Sequence, residues 1–227
     1  MANQIPEVVI LRLPLYARTL AALRDSGQEV ISSHELGGKL HITPAQIRKD
    51  LSYFGKFGKQ GRGYNIKRLL EELQQILGLN REWSMALVVV GRLGRAIIGY
   101  GGFAPQGFRV VAAFDTSPEL VGTQVEHLIV QDIAELGATI KEKSVNIGIV
   151  AVPASHAQEV INVLVSSGVK AILNYAPVVV KVPEDVRVRE IDPVLALQSM
   201  TYYIKKAKER PAEAATRSRQ KRAALSS

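Results

Sequence analysis

The segment 88–96, VVVGRLGRA, has glycines at a spacing that can bind the pyrophosphate of a dinucleotide. In the fingerprint G-x-G-x-x-G, the second glycine lets the backbone approach the pyrophosphate and the third lets a helix pack on a strand. Gly91 and Gly94 fit these two positions, and Asp115 follows Gly94 by 21 residues. An acid at about that offset accepts hydrogen bonds from the ribose hydroxyls and repels a 2′-phosphate. The spacing therefore favours NAD(H) over NADP(H).

Position 89 departs from the fingerprint, because Val89 stands where the first glycine belongs. The branched Cβ of valine restricts the backbone and adds bulk at the turn where the pyrophosphate would arrive. A strained backbone position costs about 1–3 kcal/mol, or roughly five- to a hundredfold in affinity if the strain arises only on binding. We expect NADH to bind more weakly than with glycine at 89. We expect Val89→Gly to bind more tightly and to melt lower, since glycine loosens the unfolded chain.

Basic residues are concentrated in one stretch of the chain. The 227 residues have a formal net charge of +8, and the stretch from Arg48 to Arg68 contains seven lysines and arginines against the single acid Asp50. Such a local excess of cations is typical of a surface that binds a polyanion such as nucleic acid.

Helix signals place this basic stretch in a helix-turn-helix. Ser32 and Glu35 have the spacing of a capping box that starts one helix. Thr43, Pro44 and Gln46 form a similar start for the next helix. Only two residues separate the two predicted helices, which is typical of a helix-turn-helix.

The second helix of this motif has two faces. Ile47, Leu51 and Phe54 recur at helical spacing and should face the core. The side chains that point elsewhere can read base edges or contact phosphates, and they are Gln46, Arg48, Lys49 and Ser52. The glycine-rich segment 55–65 predicts a β-hairpin wing beside DNA, with the cations Lys56, Lys59 and Arg62. The alternative is a solvated charged helix followed by a flexible loop.

The rest of the chain alternates between apolar runs and a helix-compatible segment. The apolar runs are 84–91, 108–114, 146–154 and 170–177, and residues 155–168 fit a helix. This alternation predicts a parallel α/β sheet with right-handed connections, whose ligands bind beyond the carboxyl ends of the strands. Residues 152–154 and 174–177 would then lie beside the cofactor. Alternatively, the proline and asparagine residues there only end strands.

Composition excludes several classes of protein. There is no cysteine, so any redox role belongs to a bound cofactor. No apolar run approaches the length of a membrane span and no signal-peptide pattern is present, which predicts a cytoplasmic protein without membrane contact. No metal site is predicted. A chain of 227 residues can form one large domain or two modest ones.

Five blocks together resemble the Rex family of redox-sensing transcriptional repressors, over residues 5–208. They are RLPLY (12–16), AQIRKDLSYFGKFGKQGRGYN (45–65), VAAFD (111–115), AVPA (151–154) and AILNYAP (171–177). The resemblance implies a homodimer that binds palindromic operator DNA through winged helices when NADH is scarce. NADH would close the dimer and release the DNA, so that the repressor senses the ratio of NADH to NAD⁺.

The patterns above and this resemblance together predict roles for individual residues. DNA contacts are implied for Gln46, Arg48, Lys49, Ser52, Tyr53, Lys56, Phe57, Gly58, Lys59 and Arg62. Cofactor contacts are implied for Val89, Val90, Gly91, Arg92, Leu93, Gly94, Tyr100, Asp115, Pro153, Ala154, Asn174, Ala176 and Pro177. Coupling between the two sites is implied for Arg12, Tyr100 and Asp192. No catalytic residue and no metal ligand is expected.

Four parts are predicted along the chain. Residues 1–80 form a winged-helix DNA-binding domain, 81–193 a Rossmann-like NAD(H)-binding domain, 194–210 a dimerisation helix and 211–227 a disordered basic tail. The family's last helix is exchanged between subunits, and here Leu197, Met200 and Ile204 form an apolar stripe. An ordinary helix that packs on its own domain would show the same stripe.

Two other functions remain open at this point. A constitutive DNA-binding protein with a vestigial nucleotide site would account for Val89. An NAD-dependent dehydrogenase is less well supported, because no substrate domain fits into the remaining residues and no acid–base pair is evident. His156 follows a predicted strand and could approach a nicotinamide, but a histidine that opens a helix is more often simply exposed. Turnover of NADH would distinguish an enzyme from a sensor.

Overall fold

A computed structural model places residues 5–57 and 63–207 of the protein, and the fold is described for these residues. The described residues divide into two units, one formed by 5–57, 63–82 and 105–107 and the other by 83–104 and 108–207. The first unit contains a helix-turn-helix and the second a largely parallel sheet with helices. The predicted fold class is therefore confirmed.

Four helices and a two-stranded sheet make up the first unit. The helices are α1 (Glu7–Asp25), α2 (Ser33–Leu40), α3 (Pro44–Ser52) and α4 (Ile66–Ile76). Strand β1 (Val30–Ile31) pairs in antiparallel orientation with β2 (Tyr64–Asn65). The apolar faces of these elements meet in a core that contains Leu13, Tyr16, Leu20, Leu36, Ile47, Leu51, Leu69 and Leu73.

Local signals explain where α2 and α3 begin. The Ser32 hydroxyl accepts a hydrogen bond from the Glu35 N–H at 3.0 Å, and the Thr43 hydroxyl accepts one from the Gln46 N–H at 3.2 Å. These bonds satisfy N–H groups that have no partner inside the helix. Both predicted helix starts are confirmed.

The turn between α2 and α3 requires a glycine. A Cβ on Gly37 would lie 2.4 Å from the carbonyl oxygen of Ile42, a distance that side chains essentially never adopt. The predicted helix-turn-helix is confirmed, and its sharp turn depends on this close approach.

Parts of the first unit differ from the sequence prediction. The apolar spacing of residues 13–26 predicts a helix there, but α1 begins earlier, at Glu7, and continues through Pro14, with Val9 and Leu13 both buried. Residues 58–62 of the predicted wing lie outside the described residues, and after them β2 pairs with β1. Gly63 permits this pairing, since a Cβ there would lie 2.7 Å from a backbone oxygen of Ile31.

A seven-stranded sheet forms the centre of the second unit. Its strands are β3 (Trp83–Val88), β4 (Phe108–Asp115), β5 (Gln124–Val125), β6 (Leu128–Asp132), β7 (Ile147–Val150), β8 (Ala171–Asn174) and β9 (Arg187–Glu190). The spatial order is β5-β6-β4-β3-β7-β8-β9, and every pair is parallel except β5 with β6. The chain therefore builds outward from β3 through β4 and β6, and then on the other side from β7 to β9.

Helices alternate with the strands of this sheet along the chain. They are α5 (Arg92–Ile98), α6 (Leu136–Glu142), α7 (Ala154–Ser166) and α8 at 193–207. Side chains of the central strands enter two apolar layers, with Leu87 and Ile149 in one and Val88 and Phe114 in the other. Both faces of the sheet are therefore covered, which explains the continuous apolar runs. No helix within 5–57 or 63–207 is long and apolar enough to cross a membrane.

Candidate nucleotide site and nucleic-acid surface

The loops that follow β3, β7 and β8 lie side by side at the carboxyl edge of the sheet. A backbone hydrogen bond ties the first residue of each loop to the end of a neighbouring strand: the N–H of Val89 donates to Phe114 at 2.8 Å, that of Ala151 to Val88 at 3.0 Å and that of Tyr175 to Val150 at 2.8 Å. The strand order reverses between β3 and β7, and ligands of open α/β sheets bind at such a reversal. The structure thus brings together the segments that sequence predicted to lie beside a cofactor.

The glycine loop (residues 89–94) leaves room for a ligand. A Cβ on Gly94 would lie 2.4 Å from the carbonyl oxygen of Val89, so this glycine is needed for α5 to pack on the loop. Gly91 is different: a Cβ there would meet nothing within 4 Å, and its φ of −71° suits any residue. The fold itself does not require glycine at 91, and the open space over it suits the close approach of a pyrophosphate.

Val89 adopts a backbone conformation that glycine favours. Its φ is 77°, in the left-handed region, where a β-branched side chain is strained. The N–H of Val89 is held by the carbonyl of Phe114, and the side chain packs against the apolar core. The fold itself therefore holds Val89 in this strained conformation, whereas the five- to hundredfold range derived from the sequence applies only if the strain arises on binding.

Asp115 ties the end of β4 to the glycine loop. The carboxylate is 5% exposed, and its Oδ2 accepts a hydrogen bond from the Val90 N–H at 2.8 Å. Its Oδ1 accepts one from the Ser117 N–H at 2.9 Å. A carboxylate has about four acceptor positions, so two remain for ribose hydroxyls. Asp115 therefore orients the loop as well as offering acceptors to a ligand.

The side chain of Asn174, which was predicted to contact the cofactor, is instead hydrogen-bonded within its own loop. The side chain is fully buried. Its oxygen accepts from the Ala176 N–H at 3.0 Å, and its amide donates to the carbonyls of Ala176 and Val178 at 3.2 Å each. These bonds shape the loop after β8, so the Asn174 side chain holds that loop in position.

The other proposed cofactor residues lie at the same edge, except Tyr100, which follows α5 and lies toward the opposite edge, where the Phe103 carbonyl accepts a hydrogen bond from the N–H of Phe108 at the start of β4. Ala176 and Val90 are buried, whereas the exposed ones are Arg92, Leu93, Tyr100, Pro153, Ala154 and Pro177. The Tyr100 ring is 59% exposed and meets Phe103 edge-on, with ring centroids 4.9 Å apart. His156 is also exposed, near the start of α7. The open space at Gly91 and the Asp115 acceptors fit a dinucleotide.

The outer face of α3 presents cations to solvent. Arg48 and Lys49 are exposed, and Arg48 Nη1 donates to the Ser33 hydroxyl at 2.9 Å. The Ser52 hydroxyl donates to the carbonyl of Lys49 at 2.7 Å. Beyond α3, Lys56 is exposed while Tyr53 and Phe57 are half-buried. Three further proposed DNA contacts lie outside the described residues, namely Gly58, Lys59 and Arg62.

Gln46 does not project freely from this face. Its Nε2 donates to Asp50 Oδ1 at 2.7 Å. Asp50 is fully buried and also accepts from Arg12 Nε at 2.6 Å, from Arg12 Nη2 at 2.7 Å and from the Tyr16 hydroxyl at 2.6 Å. We call these four residues the Asp50 cluster. Sequence reasoning overlooked it, although an acid between the core positions Ile47 and Leu51 is a sign of a paired buried charge.

The charges of the cluster stabilise one another. Burial alone would raise the pKa of Asp50, but hydrogen bonds from Arg12, Tyr16 and Gln46 outweigh it and hold the pKa below its ordinary value. The hydrogen bond to Asp50 raises the pKa of Arg12. Burial, and then the bond to Asp50, raise the pKa of Tyr16. At neutral pH the cluster therefore holds a carboxylate, a guanidinium and a neutral phenol.

The remaining coupling residue and the last helix lie in the second unit. Asp192 Oδ1 accepts from the Val194 N–H at 2.8 Å, which caps α8. The predicted stripe on α8 is exposed, with Leu197 at 61%, Met200 at 57% and Ile204 at 57%. Residues 208–210 of the predicted dimerisation helix and the predicted tail at 211–227 lie outside the described residues.

Metal ligation finds no support in the described part of the chain. No group of three or more histidine, cysteine, aspartate or glutamate side chains within it could hold a metal ion.

Known proteins match both units. Residues 4–52 match the family model described as "Putative DNA-binding protein N-terminus", and residues 80–178 match "CoA binding domain". A curated relative, "Redox-sensing transcriptional repressor Rex" of Chloroflexus aggregans, is 53% identical over 203 residues, which are 89% of this chain and 96% of the relative.

Solved structures agree with these matches. The fold is similar to that of RSP in complex with β-NAD⁺ and operator DNA, with a TM-score of 0.86 and 36% identity over 91% of this chain and 95% of the other. The complex of RSP with β-NADH gives a TM-score of 0.82 and 34% identity over 91% and 97%. RSP is described as a Rex-family repressor.

Proposed function

The chain belongs to the Rex family of redox-sensing transcriptional repressors, and we propose that it binds operator DNA as a homodimer and leaves it when NADH binds. One observation carries the proposal. A single chain holds a helix-turn-helix with exposed Arg48 and Lys49 and, in its other unit, a glycine loop with an acid at the carboxyl edge of a parallel sheet. A protein that has both can make DNA affinity depend on a nucleotide.

NAD(H) is the nucleotide that the site suits best. Gly91 leaves space for a pyrophosphate, and Asp115 keeps two acceptor positions for ribose hydroxyls. Coenzyme A, which names one matching family model, and NADPH both have a phosphate ester on the adenosine ribose. The Asp115 carboxylate would repel such a phosphate, so we expect neither to replace NADH.

On the DNA side, α3 is the recognition helix. Arg48 and Lys49 lie on its exposed face, where guanidinium and ammonium groups can donate to guanine acceptors in the major groove. A two-fold symmetric dimer would place two such helices on the two halves of a palindromic operator.

The dimer would be formed through α8. Its apolar stripe, Leu197, Met200 and Ile204, is more than half exposed in the single chain, and a stripe of this kind is normally covered by another surface. Exchange of this helix between two subunits would cover it. The proposed division of labour is DNA binding by 1–80, NAD(H) binding by 81–193 and dimerisation by 194–210.

We also propose that the protein binds NADH without oxidising it. The named relatives are transcription regulators, and a sensor must hold NADH without consuming it. The constitutive repressor remains the second candidate, because Val89 strains the glycine loop. A cytoplasmic location stays a prediction.

A titration of labelled DNA tests the proposal. The protein would first select a duplex from a palindromic library without NADH, and fluorescence anisotropy would then follow its binding to that duplex. We expect NADH to weaken binding at least tenfold, with NADPH and coenzyme A much less effective and no loss of NADH absorbance at 340 nm. Operator binding that NADH does not change would establish a constitutive repressor.

A further inference from the structure

The Asp50 cluster holds a buried charge that the proposed function does not use. Asp50 is 0% exposed and lies on the inner face of α3. It accepts four hydrogen bonds, two from Arg12 and one each from Tyr16 and Gln46. Burying a carboxylate is unfavourable unless it is paired and hydrogen-bonded. A leucine at this position would have packed α3 onto the core without that requirement.

The hydrogen bonds to Asp50 fix the orientation of α3, which apolar contacts alone do not. The buried residues of α3 besides Asp50 are Ile47 and Leu51, which keep the helix on the core but tolerate some rotation and sliding. Arg12 and Tyr16 lie one turn apart on α1 and reach the same carboxylate, with the guanidinium donating to both of its oxygens. A two-pronged, charge-assisted bond of this kind fixes angle as well as distance. The nine-residue α3 is therefore oriented by Asp50 as well as held by its apolar side chains.

The same carboxylate also fixes Gln46 on the recognition helix. One N–H of the Gln46 amide is bound to Asp50, which leaves the second N–H and the carbonyl oxygen available. Those are the two groups that a glutamine uses to read an adenine in the major groove. A side chain already held in one conformation loses less entropy when it binds.

We propose that Asp50 is a positioning residue for DNA recognition, which holds α3 and the Gln46 side chain in the orientation that reads bases. Its effect should appear in the discrimination between operator and other DNA rather than in general DNA affinity. Phosphate contacts made by exposed cations such as Lys49 and Lys56 are sequence-independent and need no such orientation. The inference rests on the proposed function, since it assumes that α3 reads an operator.

The test compares two variants with a matched control. Asp50→Asn removes the charge and keeps the shape, Tyr16→Phe removes one hydroxyl, and Ile66→Val removes one methyl from the same buried core without touching the cluster. Each full-length protein is titrated with the selected duplex and with a scrambled duplex of equal length, at several salt concentrations. Circular dichroism confirms that each variant is folded at the temperature of the titration. Tyr16→Phe is the milder change if Asp50→Asn unfolds the unit.

We expect the ratio of scrambled to operator Kd to fall about tenfold in Asp50→Asn and severalfold in Tyr16→Phe, within the worth of one base contact. Affinity for scrambled DNA and its salt dependence should stay unchanged, as should both affinities in Ile66→Val. Adding Gln46→Ala to Asp50→Asn should cost less than Gln46→Ala does in the wild type, because the two act together.

Two results would overturn the inference. An equal loss on both duplexes, or a ratio as large as that of Ile66→Val, would assign Asp50 to stability alone. A wild-type protein that selects no duplex from the library would instead refute the proposed function, so the two failures can be told apart.

Discussion

Val89 lies in the glycine loop with a φ of 77°, and this changes what a glycine there should do. Glycine normally destabilises a site relative to alanine by about 0.5–1 kcal/mol. In the left-handed region an alanine Cβ costs about 1–2 kcal/mol, so the order should reverse. We expect Val89→Gly to be at least as stable as Val89→Ala in thermal melts. A clearly more stable Val89→Ala would show that the backbone at 89 is not left-handed.

The strain at Val89 also limits its effect on affinity. The fold imposes it, because the Val89 N–H is bonded to the Phe114 carbonyl and the Val89 carbonyl packs closely on Gly94. Its relief therefore stabilises free and bound protein alike, which opposes the lower melting temperature of Val89→Gly expected from sequence. Only the bulk of the side chain then opposes the pyrophosphate, so the upper part of the five- to hundredfold range, which assumed strain only on binding, does not apply. We expect Val89→Gly to bind NADH less than about tenfold more tightly, measured by calorimetry.

Asp115 has two tasks, and two substitutions separate them. It holds the Val90 N–H at 2.8 Å and offers acceptors to the ribose, and hydrogen bonds to a charged group contribute about 1.5–3 kcal/mol. We expect Asp115→Ala to weaken NADH at least about tenfold and to reduce discrimination against NADPH. Asp115→Asn should also lose discrimination, since an amide does not repel a phosphate. Unaltered NADH affinity and selectivity in both variants would leave Asp115 as a strand end only.

Acid should weaken the contribution of Asp50 to stability. Its folded pKa is lowered, so its contribution is full above the unfolded value of about 3.9 and is lost as pH falls through the folded value. Breaking a buried ion pair costs up to about 3–5 kcal/mol. We expect Asp50→Asn to melt well below the wild type at pH 7 and the gap to narrow below pH 4. A gap of constant size down to pH 2.5 would mean that the charge of Asp50 is irrelevant.

At the scale of elements, the exposed face of α3 should supply most of the operator affinity. Arg48 and Lys49 are exposed there, and a base-reading contact is worth about 1–3 kcal/mol. We expect Arg48→Ala and Lys49→Ala to weaken operator binding strongly while NADH binding is unchanged. Lys141→Ala, an exposed lysine of the second unit, is the matched control. Unchanged operator affinity in both α3 variants would mean that another element reads the DNA.

Elements with local signals could be predicted, and those set by tertiary contacts could not. The starts of α2 and α3 follow from the Ser32 and Thr43 caps, and α7 from its apolar spacing, so all three agree with the sequence prediction. Strands β5 and β9 are short or mostly exposed and have no clear pattern. The partner of β2 depends on how closely Gly63 approaches β1, which sequence does not reveal.

In the candidate site too, residue spacing could be interpreted from the sequence, whereas side-chain hydrogen bonds could not. Spacing alone located Gly91, Gly94 and Asp115 at one edge of the sheet. It did not show that Asn174 is occupied within its own loop or that Gln46 is bound to Asp50. Those arrangements depend on side-chain geometry between residues whose polar types fit several roles.

At the scale of the whole molecule, we propose that the nucleotide and DNA sites are coupled. Coupling of binding is reciprocal: if NADH weakens operator affinity by some factor, operator must weaken NADH affinity by the same factor. Calorimetric titration of NADH into the protein, alone and with saturating operator duplex, measures this most directly. We expect operator to raise the Kd of NADH by the factor that anisotropy gives for release, at least about tenfold. An NADH Kd that is the same with and without operator would contradict it.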